Sequence, residues 1–329
     1  MFWDYDGRIW RNGSAERMVE FELAGGDARY AYSVILEPHQ RNWLFALEMP
    51  ERLPQRAWLT GDGQLISFAP VRTRMRYEMT SLAGAKFADD ERPDALRRAL
   101  RLPPEFNPRA RALAVTWRRD ARSDDQIIQA ALRHLREGGY EYTLLPPLLG
   151  RDSVDEFLFS TRAGFCEHFS SAFVFLMRAA GVPARVVTGY QGGELNPVDG
   201  HFTVRQADAH AWAEAYLHGQ GWVRVDPTAV VAPVRLDGGL AGAIPKAGQL
   251  PLLLRGGIPD WVRNVRNNWE ALANQWNLWV LGYNTERQKE FVNRLGMIDA
   301  DWQKLAAMLL TSIALVLALL VAWSLRGLR

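Results

Sequence analysis

The sequence predicts an α+β protein: a small β-rich domain, then a buried helix packed on an antiparallel sheet, and finally a transmembrane helix. Three observations carry this. Apolar and polar residues alternate with a period of two through much of residues 1 to 82, the period becomes helical from about residue 94, and residues 305 to 325 carry no charge. The 329 residues leave room for about two domains. Apolar residues make up 48% and charged ones 23%, a balance that buries enough surface to offset chain entropy and excludes a disordered chain. With 39 basic and 37 acidic side chains the formal charge is +2, so there is no basic footprint for nucleic acid, and nucleic acid is not expected as a partner. The one cysteine, Cys166, excludes an intramolecular disulfide and any multi-cysteine zinc or iron–sulfur site.

The opening MFWDYDGRIWRNG has neither a basic start nor an apolar h-region, so it is not a signal peptide. A membrane span downstream without an export signal leads to the expectation that the chain is a segment of a longer membrane protein. In the β-rich domain, residues 1–82, Val19, Phe21 and Leu23 alternate with Glu20 and Glu22, and Tyr30, Tyr32, Val34 and Leu36 keep the same period. Val71, Thr73, Met75, Tyr77 and Met79 alternate with Arg72, Arg74, Arg76 and Glu78. Half-buried antiparallel strands of a small sandwich or barrel follow, with a turn at Gly61-Asp62-Gly63.

The second domain, residues 83–235, begins with helices. Ser123 with Gln126 three residues later is a capping-box pattern, Ile127, Ile128, Ala131 and Leu135 form one apolar stripe, and Gly138-Gly139 stops it. Phe165 to Ala180 is an apolar helix ended by Gly181 and Pro183. Four short β-rich runs follow: 184 to 191, 201 to 206, 210 to 218 and 221 to 227. Residues 236–303 hold a Gly- and Pro-rich linker and Trp-rich juxtamembrane helices. There Ile258, Trp261, Val262, Val265, Trp269, Leu272, Trp276 and Trp279 recur at spacings of three and four, which reads first as packing against the core and second as a membrane interface. The transmembrane helix is placed at 304–325, whose 21 uncharged residues from Leu305 to Leu325 span about 31 Å, one bilayer core. Arg326 and Arg329 point to a cytoplasmic C-terminus, with Arg287, Lys289 and Arg294 on the other side of the span.

Cys166 opens the apolar helix, where first-turn amides and the positive end of the helix dipole favour a thiolate. A lone buried cysteine can equally be a small hydrophobe, so the surrounding residues decide. A thiolate nucleophile needs a base in reach and a third group to orient that base. His210 begins a strand in which His210, Trp212, Glu214 and Tyr216 share one face, while Ala211, Ala213, Ala215 and Leu217 suit packing on the helix. Asp226 closes the next run, just before Pro227, so a hairpin turning near Gly219 to Gly221 brings His210 and Asp226 together. Reading Cys166 and His168 as a metal fragment completed by Asp199 or His201 fails on geometry, because residues two apart on a helix point in different directions. Asp208 reads as a turn residue, Trp212 and Tyr190 as core or cleft-lining aromatics, and His39, His134 and His218 as surface residues.

GFCEHFSSAFVFLMRAAGVPARVVTGYQ and DAHAWAEAYLHGQGWVRVDPTA resemble the transglutaminase-like superfamily of papain-type cysteine enzymes over about residues 110 to 235. YTLLPPLLGRDSVDEFLF before the cysteine, NNWEALANQWNLWVLGYNTERQ after the core and the final span are similar to its bacterial TgpA branch. The resemblance implies a papain-like transglutaminase core with Cys166 as nucleophile, His210 as base and Asp226 as its orienting partner. It also implies a bacterial inner-membrane protein, anchored through residues 305–325, with its catalytic domain facing the periplasm.

The expected chemistry is acyl transfer from a glutamine-type amide to an amine through a Cys166 thioester, with protein or peptide substrates that include cell-wall peptides. No cofactor and no metal is expected. A cysteine peptidase or amidase on the same triad, and a non-catalytic periplasmic scaffold, are the rival readings.

Overall fold

The computed structural model describes residues 3–5, 10–12, 23–61, 63–87, 93–233, 260–281 and 310–311. The strand expected around Val19 and Phe21, most of the linker, and the uncharged run apart from residues 310 and 311 lie outside the described residues. Among the described residues no helix is long and apolar enough to cross a membrane. The chain divides into two compact units, Met1–Ala271 and Leu272–Arg329.

The β-rich region opens with β1 (Trp3–Tyr5) paired antiparallel to β2 (Trp10–Asn12). It continues through β3 (Leu23–Ala24), β4 (Ala28–Leu36), β5 (Trp43–Leu44), β6 (Pro50–Arg52), β7 (Ala57–Leu59), β8 (Leu65–Ser67), β9 (Met75–Ala83) and β10 (Lys86–Phe87). Two three-stranded sheets, β4-β9-β6 and β5-β8-β7, share one small core of Leu44, Leu59, Leu65, Val71, Tyr77 and Met79. In β9 the period of two is visible: Tyr77, Met79 and Ser81 are buried and Arg76 and Glu78 exposed. The strand starts at Met75, four residues later than the alternation predicts. The Val71 backbone is spent on the preceding loop, donating to the Arg41 carbonyl at 2.8 Å and accepting from His39 at 3.1 Å. Tyr77 ties the two sheets: its hydroxyl donates to the Phe45 carbonyl (2.8 Å) and accepts from the Phe45 amide (2.9 Å).

Next come α1 (Pro93–Arg98), α2 (Pro108–Asp120), α3 (Asp124–Glu137), β11 (Glu141–Tyr142), α4 (Ser153–Glu156, extended by a wider turn over 157–161), β12 (Ala163–Gly164) and α5 (Cys166–Ala179). Ser123 caps α3 by accepting from the Gln126 amide at 3.4 Å, and Ile127, Ile128, Ala131 and Leu135 are all buried, as the sequence predicts. The Gln126 side chain reaches back to the amide of Arg122, one residue earlier than a standard capping box. Helices α2 and α4 cap each other. Asn107 Oδ1 accepts from the amides of Val154 (2.9 Å) and Asp155 (3.1 Å), while the Asp155 carboxylate accepts from those of Arg109 (2.9 Å) and Ala110 (2.7 Å). First-turn amides that would be orphaned in a buried place thus find partners 45 to 48 residues away.

Helix α5 is the centre of the larger core. Phe169, Phe173, Val174, Phe175, Leu176 and Met177 have no exposed surface, consistent with a helix surrounded by α2, α3 and a sheet. That sheet is antiparallel, in the order β13 (Ala184–Tyr190), β16 (Ala209–Leu217), β17 (Gly221–Val225). Between β13 and β16 lies the small hairpin of β14 (Glu194–Leu195) and β15 (Phe202–Thr203), so the run 201 to 206 is a strand for two residues only. Ala211, Ala213 and Ala215 are buried against α5, whose backbone a larger side chain would hold away.

The Trp-rich segment forms α6 (Asp260–Leu281). The default expectation that its apolar stripe packs on the core is wrong for the described residues. Trp261, Val265, Trp269 and Leu272 are 69, 61, 71 and 61% exposed, while Asn267 and Ala271 are buried. Polar pairing turns the helix this way: Arg266 binds Glu194 at 2.6 Å, Arg205 reaches Glu270 at 3.5 Å, and the Asn196 amide donates to the Asn267 carbonyl at 2.9 Å.

Candidate active site

Three elements converge on the site: the start of α5, the start of β16 and the end of β17. Cys166 is the first residue of α5 and is buried, 8% exposed. Phe165 before it is extended (φ −121°) and its carbonyl accepts from the His168 and Phe169 amides, so the amides of Cys166 and Glu167 are the ones of the first turn that project ahead of the helix with no carbonyl of their own helix to meet. β12 places this junction by pairing in parallel with β11, Gly164 opposite Tyr142. A Cβ on Gly164 would lie 2.7 Å from Cβ of His168 and 3.0 Å from the Phe157 ring, so only glycine fits the approach to the cysteine. His168 packs on the Phe165 ring, 4.6 Å between centroids, and burial holds its pKa below the usual 6.5. It belongs to the wall of the helix start.

His210 lies opposite Gly189 of β13, with its side chain 1% exposed. Nε2 is 2.8 Å from Asp226 Oδ2. The other carboxylate oxygen accepts from the Thr228 amide at 3.0 Å, and the Asp226 carbonyl accepts from the Ala229 amide at 3.2 Å. Asp226 is thus held by a turn over Pro227, one residue beyond the end of β17, and the sequence-derived strand end is one residue late. With Nε2 committed to Asp226, Nδ1 is the ring nitrogen left for the thiol. Nδ1 makes no hydrogen bond of full geometry in this resting arrangement, yet Cys166 is close enough to favour a proton on the ring. Burial pushes the His210 pKa down, but the bond to Asp226, then the interaction with Cys166 and the negative charge of both partners, outweigh it and raise the pKa above 6.5.

Neighbouring contacts fix these positions. Ser170, one turn below Cys166, donates from Oγ to the Ala211 carbonyl at 2.9 Å and so pins α5 to the strand one residue past His210. The Trp212 ring lies 6.3 Å from that of His210 at 24°. Its far edge covers Gly189, where a Cβ would come within 2.8 Å. The Arg224 guanidinium sits 4.2 Å over the Trp212 ring, pairs with Glu48 of the β-rich domain and donates to Gln191 at 3.2 Å. Phe45 meets Tyr190 edge-on at 5.2 Å. The β-rich domain therefore reaches the face of the sheet that carries His210.

Cys166, His210 and Asp226 are brought together. His201 and Asp199 pair with each other at 3.2 Å, and the described residues contain no cluster of three metal-ligating side chains. Asp208 accepts from the Arg205 amide at 2.8 Å, a turn contact. His134 is half-buried, 3.1 Å from the Tyr140 hydroxyl and 5.7 Å from the Trp117 ring, and is not the surface residue the sequence implied. Sequence reasoning missed Ser170, Arg224 and Glu48. Ser170 is four residues after Cys166 and Arg224 two before Asp226, spacings that place each near the same spot. Glu48 is 176 residues from its partner and left no local signal.

This arrangement can hold a thiolate–imidazolium pair at a helix start, orient the imidazole from behind, and offer backbone amides to a developing oxyanion. Comparisons with known proteins agree with the geometry. A family model described as the transglutaminase-like superfamily matches residues 111–227, and one described as the TgpA N-terminal domain matches residues 1–88. A Pseudomonas aeruginosa protein named protein-glutamine gamma-glutamyltransferase is 40% identical, the match covering 98% of this chain and 50% of that protein. The uncharacterized protein YebA of Bacillus subtilis is 37% identical over 40% of this chain and 19% of its own length. This chain thus spans half or less of the curated relatives it matches. The crystal structure of the periplasmic domain of TgpA from Pseudomonas aeruginosa superposes with a TM-score of 0.69 at 40% identity, covering 74% of this chain and 87% of that one. The helix-on-sheet core and these matches together place the chain in the transglutaminase-like superfamily, as a member of its TgpA family.

Proposed function

We propose that this chain is the catalytic region of a membrane-anchored acyltransferase that joins a glutamine-type amide to an amine on the periplasmic side. The observation that carries the reading is the Asp226 carboxylate 2.8 Å from His210 Nε2, on a strand that Ser170, one turn below Cys166, ties to the start of α5. The Cys166 thiolate attacks the amide carbonyl, first-turn amides of α5 hold the oxyanion, and protonated His210 delivers its proton from Nδ1 to the departing ammonia, leaving a thioester. An amine then attacks that carbonyl, His210 takes its proton, and the isopeptide forms as the thiolate leaves. Asp226 keeps the ring in the tautomer both halves require. The charge-free run at 305–325 and the relative crystallised as a periplasmic domain support the anchored, periplasmic setting.

Two measurements test this. Iodoacetamide labelling of Cys166 is fast at neutral pH and drops sharply in His210→Ala; labelling indifferent to His210 ends the catalytic reading in favour of a scaffold. Incubation with a glutaminyl peptide and a primary amine then yields an isopeptide and ammonia. A free carboxylate as sole product assigns the same acyl-enzyme to hydrolysis of peptides, cell-wall peptides among them.

A further inference from the structure

The outward face of α6 has no role in the chemistry above. Trp261, Val265, Trp269 and Leu272 follow one another at helical spacing and all stand more than half exposed, on the side opposite buried Asn267 and Ala271. A helix that turns tryptophans to solvent and its ion-paired residues inward is inverted for a protein surrounded by water, and contiguous apolar patches of this kind mark an interaction surface. Tryptophan is also the side chain best suited to the headgroup level of a bilayer, with a large apolar ring and one N–H donor. The described helix ends at Leu281, and the charge-free run begins 24 residues later at Leu305. A short tether to a membrane span holds such a face at high effective concentration beside lipid.

We infer that α6 lies in the bilayer interface with Trp261, Val265 and Trp269 in the lipid headgroup layer. The inference rests on reading residues 305–325 as a membrane anchor. Its consequence for the enzyme runs through the β14–β15 hairpin. That hairpin is clamped to α6 by Arg266–Glu194 and Asn196–Asn267, and leads within a few residues to β16 and His210. The hairpin itself exposes Leu195, Val198 and Phe202. Seating α6 on lipid therefore sets the catalytic cleft close to the membrane surface, where the acyl donors and acceptors within reach are chains attached to the membrane or lying against it.

The test uses the whole chain in vesicles of phosphatidylethanolamine and phosphatidylglycerol, in a Cys166→Ser background, with nitroxide labels at Val265→Cys, Trp269→Cys and, separately, Val316→Cys. At 265 and 269, oxygen dissolved in lipid should relax the label several-fold more effectively than a water-soluble nickel chelate. Relaxation by the nickel chelate overturns the inference, because the face is then in water. Protection from both reagents overturns it as well, because a protein surface then covers the helix. Position 316 reports the anchor independently: lipid at 316 with water at 265 removes this inference alone, whereas water at 316 removes the anchoring reading and this inference with it.

Discussion

Asp226 Oδ2 stands 2.8 Å from Nε2 of His210, and the other oxygen of the same carboxylate is taken up by the Thr228 amide. The carboxylate can neither rotate away nor exchange oxygens without breaking a turn, so His210 presents one nitrogen to Cys166. Asp226→Asn removes a negative charge that raises the His210 pKa and lets the amide select the wrong tautomer. A kcat loss of about 10³- to 10⁴-fold is expected, with the acid limb of the pH–rate profile for Cys166 alkylation moved down in pH. A profile that stays in place would remove Asp226 from the pair.

Gly189 is kept without a side chain by the Trp212 ring, which would meet a new Cβ at 2.8 Å. Gly189→Ala therefore displaces the indole that lies beside His210. Because the position is at the end of β13 and half-buried, stability changes little, while kcat falls by about tenfold, the cost of a small misplacement of a catalytic group. Comparing kcat with thermal midpoints separates the two effects, and an unchanged kcat would show that Trp212 takes no part in positioning.

Burial, and then Arg162, lower the pKa of His134 below 6.5, and burial does the same for His168. Both rings bind a proton more readily in the unfolded chain. Their contribution to stability is complete above pH 6.5 and is lost as the pH falls through that value towards the lower folded pKa. His210 has the opposite sign: its raised pKa adds stability below pH 6.5 that disappears as the pH rises through the folded value. Thermal midpoints between pH 5 and 7.5 should fall less steeply on acidification in His134→Gln than in the unsubstituted chain. Equal slopes would refute the lowered pKa of His134.

Asp155 is 6% exposed and accepts from two first-turn amides of α2. Asp155→Ala leaves both donors unpaired, at a cost of about 2 to 4 kcal/mol. Urea unfolding at unchanged m-value reads this directly. A loss below about 1 kcal/mol would mean that water replaces the carboxylate.

How far the sequence carried depends on whether a residue's environment is set by its neighbours in the chain. Ile127, Ile128, Ala131 and Leu135 were legible because helical periodicity alone buries them. His210 and Asp226 were legible because one hairpin joins them, and the family resemblance named Cys166 beside them. The reciprocal capping by Asn107 and Asp155 was hidden, since a cap supplied from 45 residues away has no local pattern. The Trp stripe of α6 was read inward because periodicity reports that a face is apolar and not which side it faces. Ion pairs from another element, Glu194 and Arg205, made that choice.

The contact of Arg224 with Glu48 on one side and the Trp212 ring on the other has a consequence for protein engineering. The β-rich region is not an interchangeable module. Grafting it from a relative onto this core keeps the indole seated only if the residues at 45, 48, 190, 191 and 224 travel together, so a functional chimera has to be cut along that cluster and not at the linear boundary between the two regions.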